Sequence, residues 1–218
     1  MSANAGPDIV EDGLVCCLDA NDPKSYNGNG SIWYDRSNES LEGSLDNSPL
    51  FTGKSFNFNG INQKVQVTGL PDLSANNAFT VEVWAKSDNS TWNDFGYLAS
   101  RRNQFVIHPQ QSSREVRMYF HTGGWGFLTV TPNDIEVWHQ YVLVFNAGYR
   151  EIYLDGESIS SASSALTLTS TTSVMNIGLD SGSRWLDGDV GCVRIYDRLI
   201  TTKEVQQNYN ATKSRFSL

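Results

Sequence analysis

The chain has 218 residues, of which 39 % are hydrophobic, 11 % aromatic and 18 % charged, and its net charge is −8. That composition supplies the core of one domain and excludes a disordered chain. The acidic balance, with no basic run to reverse it locally, excludes nucleic-acid binding, because affinity for a phosphate backbone rests on Lys and Arg.

No stretch reaches the roughly 20 apolar residues that cross a bilayer as a helix, so no membrane insertion is expected. Met1 to Asp12 has neither a basic nor an apolar signal-peptide region and reads as an N-terminal arm, residues 1–12. Gly13 to Leu18 is an apolar run and predicts the first strand. Asp19 to Gly43 is rich in Asn, Asp, Gly and Ser and predicts a long loop, anchored to the core by Trp33 and Tyr34. Ser55 to Asn59 alternates, with Phe56 and Phe58 on one face, and Val65 and Val67 repeat the pattern. Phe79 to Lys86 is the clearest strand: Phe79, Val81 and Val83 oppose Thr80, Glu82, Trp84 and Lys86. Glu115 to His121 sets Val116, Met118 and Phe120 against Arg117, Tyr119 and His121.

Trp138 to Phe145 is nearly all apolar, as a strand covered on both faces would be. Asp155-Gly156, between the runs Ile152-Tyr153-Leu154 and Glu157-Ser158-Ile159, predicts a type I′ hairpin, whose two turn residues need positive φ. Val174 to Leu179 and Val190 to Tyr196 predict two more strands. Thr201, followed three residues later by Glu204, is a capping box that opens a short helix to about Tyr209. The spacing gives an all-β, two-sheet antiparallel sandwich with one short C-terminal helix, residues 13–210, and a tail, residues 211–218. Cys16, Cys17 and Cys192 do not form a disulfide framework. Adjacent strand residues face opposite ways, so one of Cys16 and Cys17 can lie beside Cys192 if the terminal strands pair. Buried reduced thiols are the expectation.

Taken in order, these segments resemble the LamG-like family of concanavalin A-like jelly rolls. The resemblance rests on Leu18-Asp19-Ala20, Trp33-Tyr34-Asp35, Ser55-Phe56-Asn57-Phe58-Asn59-Gly60, Phe79-Thr80-Val81-Glu82-Val83-Trp84, Ile152-Tyr153-Leu154-Asp155-Gly156 and Val193-Arg194-Ile195-Tyr196-Asp197. The segment Glu204 to Lys213 is similar to the ending of such domains in tailed-phage and cyanophage structural proteins. That likeness implies a virion protein. The family spans glycan-binding modules, virion components and, more distantly, glycosidases, and a fold does not fix function.

A retaining glycosidase needs two carboxylates about 5 Å apart. No Glu-x-Asp-x-x-Glu run supplies them; Asp134-Ile135-Glu136 is the nearest approach and reads as a turn. No Gly-x-Ser-x-Gly elbow accompanies His108, His121 or His139. The chain is therefore expected not to be an enzyme. Relatives of this fold often hold a structural Ca²⁺, and the resemblance implies Asp19, Asp35 and Asp189 as candidate ligands, with Asp22, Asn38 and Asp187 nearby. Gly191, however, stands where relatives often carry an Asp. Sugar rings stack on flat aromatic faces. The candidate ligand-binding set is Trp84, Arg117, Tyr119 and His121 on strand faces, with Trp92, Trp125 and Trp185 in loops. Trp125 stands in Gly123-Gly124-Trp125-Gly126, read as a flexible tip. The expectation is a non-catalytic virion module (capsid decoration, tail or fibre) that touches other virion proteins or host glycans and forms a homo-oligomer. A free, extracellular lectin is the alternative and a glycoside hydrolase the remoter one.

Overall fold

The computed structural model describes residues 8–179 and 182–217. The chain opens with β1 (Leu14–Asp19), β2 (Ile32–Tyr34), β3 (Glu42–Asp46), β4 (Leu50–Phe51), β5 (Phe56–Asn59) and β6 (Lys64–Val67). A 3-10 turn over Leu73–Ala75 leads into the long β7 (Ala78–Ser87). There follow β8 (Ala99–Arg101), β9 (Phe105–Pro109), β10 (Val116–His121), β11 (Trp125–Val130), β12 (His139–Asn146), β13 (Tyr149–Leu154) and β14 (Glu157–Ser163). The short β15 (Met175–Ile177) and the long β16 (Asp187–Tyr196) precede α1 (Thr202–Thr212) and a closing 3-10 turn, Lys213–Phe216.

Two antiparallel sheets result. The first runs β14-β13-β12-β7-β16-β5-β4, and the second runs β11-β10-β9-β8-β15-β6-β3-β2. β16 is the axis of the first sheet. One side pairs with β7 along its length; the other pairs with β5 through Asp187–Val190 and with β1 through Cys192–Tyr196. The sheets meet on side chains set by the period-2 alternation. Phe79 stacks on Phe145 at 5.4 Å and reaches Phe105 of the other sheet at 5.6 Å, while Phe120 meets Phe145 at 5.5 Å. The Asp155-Gly156 hairpin forms with φ of 53° and 81°, as the type I′ turn requires.

The outer face of the first sheet is also covered. The predicted polar face of β7 is dry: Thr80, Glu82 and Trp84 are each 0 % exposed. α1 and the chain end lie across it. Trp84 stacks on Tyr209 at 5.7 Å and on Phe216 at 4.8 Å, and Trp138 meets Phe216 at 4.5 Å. Gly191 is what allows this, since a Cβ there would stand 2.5 Å from the Phe216 ring. The capping box forms as the sequence predicts. The Thr201 N–H donates to Glu204 Oε2 at 2.7 Å, and the Arg198 guanidinium, ahead of that N–H, holds the Glu204 carboxyl down at about 2.

Beneath the helix lies a buried network. Arg194 Nη1 donates to Glu82 Oε1 at 2.5 Å, Trp84 Nε1 to the same oxygen at 3.2 Å, and Asn208 Nδ2 to Glu82 Oε2 at 2.9 Å. Asn208 Oδ1 accepts the Val10 N–H at 2.8 Å, and Tyr196 Oη donates to the Val10 carbonyl at 3.0 Å. Residues 8–12 and 211–217, expected as an arm and a tail, are therefore packed parts of the domain, with Val10 and Phe216 buried. Residues 1–7 lie outside the described residues. One other expectation is corrected. The loop from Asp19 to Gly43 contains β2, and its Tyr34 points outward while Trp33 is buried, because neighbours on a strand alternate. β1 does pair with β16, placing Cys17 opposite Arg194 and Asp19 opposite Cys192. All three cysteines are free and buried, and burial, ahead of the opposing pull of Arg194, pushes the Cys17 thiol up to about 11.

Removing one member of a buried ion pair leaves the other charged without a partner, which costs about 3–5 kcal/mol. Glu82→Ala should accordingly lower the thermal midpoint by about 6–20 °C, at the 2–4 °C per kcal/mol typical of this size. Calorimetry of the variant against wild type checks this. A second expectation concerns His139. Its Nδ1 lies 2.6 Å from Asp155 Oδ2 and its Nε2 2.6 Å from the Asp134 carbonyl, so two acceptors face one ring. Burial opposes the charge, but Asp155 and the Asp134 carbonyl outweigh it and raise the pKa above 6.5. A raised folded-state value stabilises below the unfolded value of about 6.5 and is lost as pH rises through the folded value. Thermal midpoints measured from pH 5.5 to 8.5 should fall more for wild type than for His139→Gln.

Candidate ligand-binding site

β9, β10 and β11 form one end of the second sheet, and their alternation is strict. Phe105, Ile107, Val116, Met118, Phe120 and Val130 point into the core. The register then fixes what points out. His121 pairs with Trp125, Tyr119 with Phe127 and Val106, and Arg117 with His108 and Thr129. Residues opposite one another share a face. The outward side chains therefore form a continuous aromatic row. His108 lies 5.7 Å from Tyr119, which lies 5.0 Å from Phe127 and 6.0 Å from Trp125; Trp125 lies 4.7 Å from His121. Tyr97 extends the row from the loop before β8, 5.3 Å from His108.

Trp125 is 38 % exposed and Phe127 47 %, while Tyr119 and His121 are half-buried. Gly126 between them has no room for a side chain, since a Cβ would stand 2.5 Å from the Phe120 ring. That contact holds the strand against the core, so Trp125 is the first residue of a paired strand rather than a flexible tip. Guanidinium groups ring the row. Arg102 lies 5.6 Å from the Trp125 centroid, Arg117 5.1 Å from Phe127, and Arg184 4.8 Å from Phe95. Arg102 Nη1 donates to Tyr97 Oη at 3.2 Å, and Arg117 Nε to Glu115 Oε1 at 2.6 Å. Tyr97, Arg102, Val106, His108, Tyr119 and Trp125 line an open cavity of about 330 Å³, within the range of small-ligand sites. On its other side Trp125 also lines a shallower depression of about 400 Å³, with Phe127, Arg150 and Leu166.

The structure brings together Arg117, Tyr119, His121 and Trp125 of the expected set. It removes three others. Trp84 lies in the other sheet, sealed under Tyr209 and Phe216, because α1 covers that face. Trp92 is 1 % exposed and belongs to the core. Trp185 is half-buried in a bridge with Leu179 and stands outside the aromatic row. Sequence reasoning missed Phe127 and the place of His108. The signal was present in Trp125-Gly126-Phe127-Leu128-Thr129-Val130, which alternates, but the glycines before it suggested a loop.

The expected metal ligands do not converge. Asp35 accepts from the N–H groups of Cys17, Ser37 and Leu41 and from the Ser37 hydroxyl. Asp19 faces Arg215 and, at 3.7 Å, Arg194. Asp189 accepts from Ser55 at 2.6 Å and pairs with Lys86 at 3.2 Å. Among the described residues no three His, Cys, Asp or Glu side chains could share an ion. These carboxylates fit the chain's own cations and N–H donors and do not fit a Ca²⁺ shell of six to eight oxygens. Glu82, likewise, is not a solvent-facing carboxylate but the buried partner of Arg194.

The family profile described as the concanavalin A-like lectin/glucanases superfamily, laminin G type, matches residues 59–206. The chain belongs to this superfamily. The curated proteins contain no match. Among solved structures, the botulinum neurotoxin serotype D binding domain is similar at a TM-score of 0.73 and 14 % identity, over 92 % of this chain and 52 % of that one. The binding domain of botulinum neurotoxin DC in complex with rat synaptotagmin II follows at 0.69 and 14 %, over 93 % and 52 %. The same domain in complex with SialylT gives 0.68 and 13 %, over 92 % and 52 %. The chain spans about half the length of these structures, and the likeness is one of fold.

Exposure separates the two tryptophans. Trp84→Ala should destabilise by about 3–5 kcal/mol, as emptying a packed aromatic site does. Trp125→Ala should cost under about 1 kcal/mol, the scale of edge-to-face and cation–π contacts at a surface. Denaturant titration of both variants checks the contrast.

Proposed function

We propose that this domain is a non-catalytic binding module that takes a sugar on the aromatic row of β9–β11, and that it does so as a structural component of a phage particle. The observation that carries the first half is Trp125, exposed yet held on a paired strand at the rim of a cavity of about 330 Å³. A flat, water-facing ring beside polar donors suits the apolar face and the hydroxyls of a sugar. The structurally similar toxin domains support a binding role, since they are seen in complex with synaptotagmin II and with SialylT. The lack of catalysis is supported by the buried, ion-paired state of Glu82 and by Asp134, whose carboxylate accepts the Glu136 N–H in a turn.

The virion half rests on the likeness of Glu204 to Lys213 to the endings of phage structural domains. Its partners would then be other virion proteins and host glycans. A free lectin outside the cell remains the second reading, favoured by the same aromatic row. Two measurements separate them. On a glycan array, Trp125→Ala should lose binding by roughly 30-fold, the size of a hot-spot aromatic; a folded variant that binds as wild type would overturn the sugar reading. Mass spectrometry of purified particles should find the chain at fixed stoichiometry. Its absence from particles, with the chain secreted instead, would favour the lectin.

A further inference from the structure

We infer that the sugar taken by this site is anionic, carrying a carboxylate or a sulfate, and that Arg102 reads its charge. The inference deepens the sugar-binding reading and rests on it. Five of the ten arginines face a carboxylate among the described residues. Arg36 faces Asp22, Arg117 faces Glu115, Arg194 faces Glu82, Arg198 faces Glu204 and Arg215 faces Asp19. Arg102 forms no such pair among the described residues. Its one hydrogen bond among the described residues goes to a neutral acceptor, Tyr97 Oη, at 3.2 Å. It is exposed, and it lies at the rim of the cavity in a chain of net charge −8.

A guanidinium carries five N–H donors in a planar fork, so one bond to Tyr97 leaves most of the fork for a ligand. That fork matches two oxygens of a carboxylate or sulfate, where an ammonium would act only as a point charge. Tyr97 on one side and the Trp125 ring at 5.6 Å on the other hold it in place. Little ordering is then left to pay on binding. Among the described residues lining the cavity none is a carboxylate, and Arg102 stands at its rim. A ring to stack on, with a fork beside it, is complementary to an acidic sugar. The acidic remainder of the surface would repel the same polymer, which directs it to this face.

The test uses the whole chain and three probes of equal length in titration calorimetry: a galacturonate oligosaccharide, a sulfated galactose oligosaccharide and an uncharged galactose oligosaccharide. The expected result is at least one anionic probe binding about 10-fold or more tighter than the neutral one, with the advantage shrinking as salt rises. Which anionic probe leads identifies carboxylate or sulfate as the group read. Arg102→Gln should abolish the preference, bringing the variant's affinity for the anionic probes down to its own affinity for the neutral one, whereas Trp125→Ala should weaken all three and keep the preference. Equal affinity for neutral and anionic probes, or a preference that survives Arg102→Gln, overturns the inference and leaves the sugar-binding reading standing. Failure of all three probes with folded wild type would overturn both.

Discussion

The Glu82–Arg194 pair decides which surfaces this domain has left to use. Two charges without solvent at the centre of a sheet are costly to bury. Here each is met: Glu82 by Arg194, Trp84 and Asn208, Arg194 also by Asp19. Asn208 is the critical member, because it comes from α1 and turns toward both Glu82 and Val10. The helix cannot leave without stripping Glu82 of a donor, and the residues before β1 cannot leave without freeing Asn208. One pair on β7 and β16 thus ties the two ends of the described chain to the same face. Its contribution lies less in net stability, since buried pairs often only break even, than in fixing where the helix sits.

That placement settles the fate of each sheet's outer side. The first sheet is closed by its own chain, with Phe216 lying over Gly191 and against Trp84. Among the described residues no helix lies above the second sheet, so the outward side chains of β9, β10 and β11 are left exposed or half-buried. A sandwich has two outer faces, and covering one with the C-terminal segment leaves the other open. The charges follow the same division. On the closed side acids and bases neutralise each other, as Asp19 does with Arg215 and Asp189 with Lys86. On the open side guanidinium groups stack on rings.

Much of the fold was legible because its signals are local. The Asp155-Gly156 turn, the Thr201–Glu204 capping box and the alternation of β5, β6, β7 and β10 each need only a few neighbouring residues. What failed was the sense of outside. Trp84 shares a strand face with Glu82 and Lys86, which reads as solvent-facing; it is buried by Tyr209 and Phe216, more than a hundred positions later in the chain. No local pattern encodes that covering. Short strands such as β2, β4 and β8 carry too few residues for a period to show. Of the site, Trp125 was found for its exposure but with the wrong mechanics. The Gly-rich context suggested mobility, whereas Gly126 is there so that Phe120 can pack beneath the strand. Arg117, Tyr119 and His121 were legible from alternation, but their true neighbours, Phe127 and His108, required the strand register.

The position of the aromatic row raises a physical problem of its own. β11 is the last strand of its sheet, and an edge strand with exposed Trp125 and Phe127 invites another chain to pair with it. The defence is visible in the same residues that define the site. Arg117 over Phe127 and Arg102 over Trp125 place a charge against each exposed ring. An approaching strand of another copy would have to desolvate both guanidinium groups, and nothing in such a strand need compensate them. A ligand that brings its own oxygens would compensate Arg102, whose acceptor among the described residues, Tyr97 Oη, is neutral. On the proposed sugar-binding reading, the arrangement would discriminate by the cost of burying charge: it would resist apolar association and admit a partner that is flat on one side and polar at its edge. Specificity built this way comes from what the wrong partner leaves unpaired as much as from what the right one gains.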